Sequence, residues 1–209
     1  AGLRGMGGAG FPAGLKWKIV REATGFPKYV ICNADESEPG TFKDRVILES
    51  LSHLLVEGMI IAGLVIGSEK GIIYLRHEYD HVLETLERVL DDARSECLLG
   101  TNILGTGLSF EITIFVSPGG YICGEETALL EALEGKRAEP RNKPPFPGNV
   151  GLWGKPTLIN NVETFSHVPA IYLKGADWFI EQGQGEAAGL KFFALSGDVN
   201  HPGVYEVPM

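Results

Sequence analysis

KYVIC (Lys28–Cys32) runs directly into NADESEPGTFKD (Asn33–Asp44). The first segment is short and apolar, the pattern of a strand buried on both faces. The second is polar and broken by Pro39 and Gly40, which reads as a loop. From Asp44 to Val65 the residues Val46, Ile47, Leu51, Leu54, Leu55, Met59, Ile61, Ala62 and Val65 return every three or four positions. That spacing predicts one helix, stopped at Gly67. Strand, polar loop at its carboxyl end, then helix is the repeating unit of an α/β protein.

The unit recurs downstream. GIIYLR (Gly71–Arg76) is a strand, and Glu78–Leu99 is a helix with Val82, Leu83, Leu86, Val89 and Leu90 on one face. SFEITIFVS (Ser109–Ser117) is a strand, followed by a loop into a helix that starts near Glu125. Glu139–Lys155, rich in Pro and Gly, is irregular, and Asn160–Leu173 and Ala176–Gln182 are helical. The alternation predicts a mostly parallel sheet flanked by helices. After the linker-like QGQGEAAG (Gln182–Gly189), LKFFALSG and GVYEVP are strands in an all-β rhythm. The expected division is an α/β domain over residues 1–185 and the start of a second domain over 190–209. Both ends of the sequence read as cut, so the chain is treated as a fragment.

Composition narrows the function. Lys and Arg number 18 against 27 Asp and Glu, a formal charge of −9. An acidic chain is a poor partner for nucleic acid or anionic membrane. The apolar stretch Met59–Gly67 lies between Glu57 and Glu69, too short to span a bilayer, so no direct membrane insertion is expected. No secretory leader is recognisable. Cys32, Cys97 and Cys123 are scattered and form no C-x-x-C pair, which suggests reduced thiols in a cytoplasmic protein and no zinc or iron–sulfur site of their own.

The glycine loop GMGGAG (Gly5–Gly10) spells the dinucleotide fingerprint G-x-G-x-x-G. Its context fits poorly. No strand is visible upstream, Pro12 and Gly14 delay a helix, and the acids nearest the expected position, Asp35 and Glu36, stand too far on. The physics of the glycines holds regardless. Without side chains, main-chain N–H groups can approach a flat or phosphorylated ligand, and Lys16 adds positive charge. A flexible tail is the alternative, but Leu3, Phe11, Leu15 and Trp17 are apolar anchors that linkers seldom carry.

Other constellations each carry two readings. Asn33, Asp35, Glu36, Glu38 and Asp44 form either a solvated turn or a polar ligand edge at a strand's carboxyl end; EF-hand spacing fails. Glu125 and Glu126 sit where a helix dipole favours carboxylates with or without a cofactor nearby. PRNKPPFPG is a rigid connector or a clamp using Lys143 and Phe146. Asn160, Asn161 and Thr164 near a helix start serve as caps or as phosphate ligands. His53 and His81 fall on predicted helices, and no Ser/His/Asp or Cys/His arrangement stands out.

Together, GLRGMGGAGFPAGLKW, CNADESEPGTFKDR, GGYICGEETALLEALEG, PRNKPPFPGNVGLWGKPTLINNVET and LSGDVNHPGVYEVP resemble, in that order, the family of NADH-oxidising FMN subunits of respiratory complex I. The same type of subunit serves as the β-subunit of NAD-dependent formate dehydrogenase and the diaphorase of NAD-reducing hydrogenase. The resemblance covers nearly the whole chain. It implies a Rossmann-like FMN-binding α/β domain, then a ubiquitin-like β-grasp domain, then a 4Fe–4S domain beyond this fragment. It also implies NAD(H) as second cofactor, and as partners a thioredoxin-like 2Fe–2S subunit and a further iron–sulfur electron-transfer subunit. By matching motif positions, FMN would meet Gly5, Gly7, Gly8, Lys16, Asn33, Asp35, Glu36, Ser37, Tyr121, Gly124, Glu125, Asn160, Asn161 and Thr164. NADH would meet Phe11, Glu38, Tyr121, Glu126, Lys143 and Phe146, with Glu38 disfavouring a 2′-phosphate and Glu126 near the nicotinamide. No catalytic acid or base is implied. One departure is Met6, where the complex I form usually has a second Arg. GLRGMGG, EGKRAEPRNKPPFPG and FSHVPAI resemble the formate dehydrogenase branch more. The rival readings are an Rnf-type electron-transport subunit and a non-catalytic binding module with a degenerate flavin site.

Overall fold

Alternate residues of the first strand leave in opposite directions, and each set meets a different layer of helices. In the computed structural model, which describes all 209 residues, β1 spans Tyr29–Ala34. Val30, Cys32 and Ala34 enter a larger core with Val20, Leu55, Met59 and Phe165, whereas Tyr29 and Ile31 enter a smaller one with Tyr74, Leu129, Leu130 and Ile159. A strand buried on both faces is the signature of a parallel sheet covered on both sides. The other strands are β2 (Lys70–Leu75), β3 (Glu111–Val116) and β4 (Thr157–Asn161). The four pair in parallel in the order β3-β2-β1-β4. Helices α1 (Ala13–Glu22), α2 (Lys43–Ser50), α3 (Ser52–Ile66), α4 (Leu83–Ser95) and α6 (Val162–Ser166) supply the larger core. Helix α5 (Glu126–Leu133) supplies the smaller one. α7 (Val168–Lys174) and α8 (Ala176–Glu181) follow, then an antiparallel hairpin of β5 (Leu190–Leu195) and β6 (Gly203–Pro208).

The chain runs outward from β1 to β2 to β3, then returns to place β4 on the other side of β1. The order therefore reverses between β1 and β4. Loops leaving two such strands diverge, and the crevice at their carboxyl ends is where open α/β sheets bind ligands. The register sets Cys32 beside Asn160 and Asn33 beside Asn161 at that end.

Four local expectations are corrected. The helix over Asp44–Val65 is two helices bent by 94°. Leu51 leaves helical angles (φ −131°, ψ 26°), and the Ser52 hydroxyl takes the Leu48 carbonyl. The helix over Glu78–Leu99 opens as 3₁₀ turns over His77–Val82, where Tyr79 turns aside to place its hydroxyl 2.9 Å from Glu36 Oε2. Asn160 is not helical: Thr157–Asn161 is β4, helix begins at Val162, and it is interrupted at His167. Pro12 does not delay a helix after the glycine loop; α1 starts at Ala13, with Pro12 as its cap. A proline there has no N–H to leave unpaired and a φ of −58° suited to the start. The expected stop at Gly67 is present as a left-handed cap with φ 73°. No single helix is long and apolar enough to cross a membrane; α2 and α3 reach that length and apolarity only as their bent pair.

Candidate cofactor site

Two adjoining cavities open at the β1–β4 reversal. One, of about 740 Å³, is lined by Met6–Gly8, Asn33, the acidic loop from Asp35 to Asp44, Tyr121, Glu125 and residues 191–194 of β5. The other, of about 610 Å³, is lined by Gly5, Phe11, Lys16, Glu126, Lys143, Phe146 and Asn160, among others. Gly7, Asn33, Gly124, Glu125 and Asn161 belong to both walls, so the two spaces share one partition.

The sequence-derived site residues converge here. Gly8, Asp35, Glu36, Ser37, Glu38 and Tyr121 line the larger cavity. Gly5, Phe11, Lys16, Glu126, Lys143, Phe146 and Asn160 line the smaller. Thr164 lines neither. It is buried behind the glycine loop, where its Oγ1 accepts a 2.9 Å hydrogen bond from Met6 N. It positions the loop rather than facing a ligand.

Each loop is held by identifiable bonds. Asn33 Nδ2 donates to Gly124 O (2.8 Å), and its Oδ1 accepts from Asp35 N (3.2 Å). The loop after β1 is thereby tied to the loop before α5. A Cβ on Gly124 would stand 3.0 Å from Asp35 O, so the two loops approach as closely as glycine permits. Trp17 Nε1 donates to Asn160 Oδ1 (2.8 Å), fixing α1 to β4. Glu36 is spent on the fold. Its carboxylate accepts from Asp44 N (3.0 Å) and Arg45 N (3.2 Å) at the start of α2 and from Tyr79.

Charges are arranged in two groups. At the partition Lys16 pairs with Glu126 (2.9 Å), and Lys143 reaches Glu125 (3.1 Å) and Glu126 (3.5 Å). Burial works against the charge of Glu125, yet bonds from Thr127, Lys143 and the Ala128 and Thr127 amides at the start of α5 hold its pKa down. Behind the larger cavity, Lys43 sits 2.7 Å from both Asp44 Oδ1 and Glu163 Oε2. Asn161 Nδ2 donates to Asp44 Oδ2 (2.6 Å). Two buried carboxylates share one ammonium. Burial, with Glu36 close by, pushes Asp44 up to about 6 against the pull of Lys43, while Glu163, despite its burial, is held low by the neighbouring His167 and the Lys43 ammonium. Of the Lys43 cluster the sequence singled out only Asp44, as part of a polar edge, and neither Lys43, Glu163 nor the β5 contribution was among the expected site residues. A lone lysine at the end of the acidic run was the available signal for the cluster, and the β5 contribution had none.

These residues fit a flavin. Gly7 and Gly8 present main chain without side-chain obstruction in the larger cavity, as Gly5, Gly7 and Gly10 do in the smaller. Asp35 Oδ2 is buried with no hydrogen-bond partner, an acceptor suited to a ring imide or a hydroxyl. Burial raises the pKa of that carboxyl. Tyr121 donates to Glu38 Oε2 (2.7 Å) in the larger cavity, and the exposed side chains of Phe11 and Phe146 line the smaller.

A family model described as the Nuo51 FMN-binding domain matches residues 1–170. The chain belongs to that family. It is 52% identical over 207 residues to an NADH-quinone oxidoreductase subunit of Rhizobium meliloti strain 1021, covering 99% of this chain and 49% of the relative. It is 50% identical over 209 residues to NADP-reducing hydrogenase subunit HndC of Solidesulfovibrio fructosivorans, covering 100% of this chain and 42% of the relative. A crystal structure of NAD⁺-reducing [NiFe]-hydrogenase in the H₂-reduced state superposes with a TM-score of 0.92 at 46% identity, over 99% of this chain and 35% of that one. The chain thus spans about half the length, or less, of the relatives it matches.

Proposed function

We propose that this chain is the cofactor-bearing part of a flavoprotein subunit that exchanges a hydride between NAD(H) and FMN and hands electrons on to iron–sulfur centres. One observation carries the reading: two cavities of cofactor size share a wall of glycine main chain and asparagine at the sheet's reversal point. FMN supplies the two-electron to one-electron conversion. The chain's own work is holding and placing. The glycine ribbon and Asn33 set the partition, and Asp35 Oδ2 offers a buried acceptor. Glu125 and Glu126, paired with Lys143 and Lys16, line the second cavity, where carboxylates favour a cationic oxidised nicotinamide over its neutral reduced form. Phe11 and Phe146 offer stacking faces. None of these roles needs a protein acid or base. The full-length protein containing this chain is expected to purify with FMN and to reduce ferricyanide with NADH. Folded protein that binds neither FMN nor NADH overturns the reading.

Glu38 is assigned to coenzyme choice. Its carboxylate, held by Tyr121, would repel a 2′-phosphate and accept from ribose hydroxyls. The family's members include both NAD- and NADP-reducing assemblies by name, so local residues must decide the preference. Glu38→Ala is expected to narrow the ratio of kcat/KM for NADH over NADPH by roughly tenfold or more. An unchanged ratio removes Glu38 from this role.

The remaining assignments follow the motif resemblance. Residues 190–209 would open a β-grasp domain, and a 4Fe–4S domain would follow. The partners would be a thioredoxin-like 2Fe–2S subunit and a further iron–sulfur subunit, in a cytoplasmic assembly. GLRGMGG, EGKRAEPRNKPPFPG and FSHVPAI favour the formate dehydrogenase branch, which a neighbouring molybdenum formate dehydrogenase reading frame would support and a nickel hydrogenase or quinone-reducing neighbour would overturn.

A further inference from the structure

Five carboxylate residues, Asp35, Glu36, Glu38, Asp44 and Glu125, line the larger cavity, and two lysines, Lys43 and Lys191, line it with them. Lys43 is neutralised by Asp44 and Glu163. In the smaller cavity Lys16 and Lys143 are both bound to carboxylates. Lys191 alone among the lining cations is in no ion pair. Its Nζ lies 3.7 Å from the Met6 sulfur, a weak acceptor, and 5.9 Å from the centre of the Phe193 ring. Neither neighbour carries charge.

The position is built. Lys191 lies on β5, and the next residue's amide, Phe192 N, donates to Glu163 Oε1 at 2.7 Å. Glu163 is fully buried and paired with Lys43. Phe192 also stacks on His167, with ring centres 5.8 Å apart. Strand β5 is thereby anchored to α6 behind the cavity, and it presents an unpaired ammonium next to Met6 and Gly7. Met6 N is already committed to Thr164. In a wall otherwise rich in carboxylates, a half-buried cation without a partner calls for an anionic ligand group.

We infer that Lys191 is the phosphate ligand of the flavin site: it binds the terminal phosphomonoester of FMN at the Met6 end of the glycine loop and so selects FMN over riboflavin. The inference rests on the FMN reading above, and it adds a specificity residue from β5, beyond the segment matched to the FMN-binding family. The same ammonium chemistry would also suit the pyrophosphate of a dinucleotide, and the test separates the two.

Full-length apoprotein is titrated with FMN and, separately, with riboflavin, following flavin fluorescence, and with NADH in the flavin-loaded protein. Lys191→Gln is expected to weaken FMN roughly 10- to 100-fold, the scale of one hydrogen bond to a charged group, while riboflavin affinity and NADH binding stay as in the parent. Lys191→Arg is expected to keep most of the FMN preference. Parallel weakening of FMN and riboflavin makes Lys191 a structural residue and overturns the inference. So does unchanged FMN affinity, or a loss confined to NADH, which would assign the ammonium to the dinucleotide. Failure of the parent protein to bind either flavin overturns the FMN reading itself, a result distinguishable from all of these.

Discussion

Replacing Lys43 with methionine is expected to destabilise the fold by about 3–5 kcal/mol, the usual cost of removing one partner from a buried ion pair. Lys43, Asp44 and Glu163 are all buried, and both carboxylates lie 2.7 Å from the ammonium. Methionine fills much of the lysine volume, so the loss is electrostatic rather than a cavity. Two negative charges would then face each other without a counter-charge. Asp44 has an escape, because burial already pushes its pKa up to about 6, and it can take a proton near neutral pH. Glu163 is also fixed by the Phe192 amide and lies beside His167, so its charge is harder to discard. The midpoint of denaturant unfolding at neutral pH measures the effect. Combining Lys43→Met with Asp44→Asn and Glu163→Gln is expected to recover a large part of the loss, since neutral groups need no counter-charge. A single-variant loss under about 1 kcal/mol would mean the cluster is solvated in solution and does not brace the cavity wall.

That cluster shows where sequence reading stops. The acidic run Asn33–Asp44 was legible as a loop at a strand's carboxyl end, because Tyr29–Cys32 is apolar and Pro39 and Gly40 break the pattern that follows. Which of its acids face a ligand was not legible. Glu36 and Asp44 look alike in sequence, yet Glu36 caps α2 while Asp44 shares Lys43 with Glu163, more than a hundred residues on. The break at Leu51 was hidden because both helices keep the same three- and four-residue spacing, with neither glycine nor proline at the join. The strand Thr157–Asn161 was hidden because it enters α6 directly, and its asparagines read as caps. Asn161 is indeed the cap, accepting from Glu163 N at 3.0 Å, but it is also the last residue paired to β1. That pairing is non-local, and it alone creates the reversal at which the two cavities meet. The motifs identified the pieces of the site, while their meeting depended on β4 choosing the far side of β1.

Gly8→Val is expected to weaken FMN binding at least about 100-fold, some 2.7 kcal/mol, with little loss of folded structure. Gly8 lies in the wall of the larger cavity with φ +113°, a conformation side-chain-bearing residues rarely adopt. The strain is of order 1–3 kcal/mol, and an exposed loop can relieve much of it by shifting. A Cβ built at Gly8 has no protein atom within 4 Å, so valine meets open space rather than the core. Fold and ligand therefore separate: the added carbons leave protein packing untouched but occupy or reshape the space that a flat ring needs against the main chain. Gly14→Ala makes the control. Gly14 also has no atom within 4 Å of its built Cβ, but it lies on α1 outside both cavities, and alanine favours the helix by up to about 1 kcal/mol. That variant is expected to bind FMN as the parent does. Fluorescence titration of both variants, with circular dichroism to confirm folding, makes the comparison. If Gly8→Val folds and binds FMN like the parent, the bare main chain between Gly5 and Gly10 is not the surface on which the flavin lies. The partition shared by the two cavities would then have to be assigned to Asn33, Gly124 and Asn161 without it.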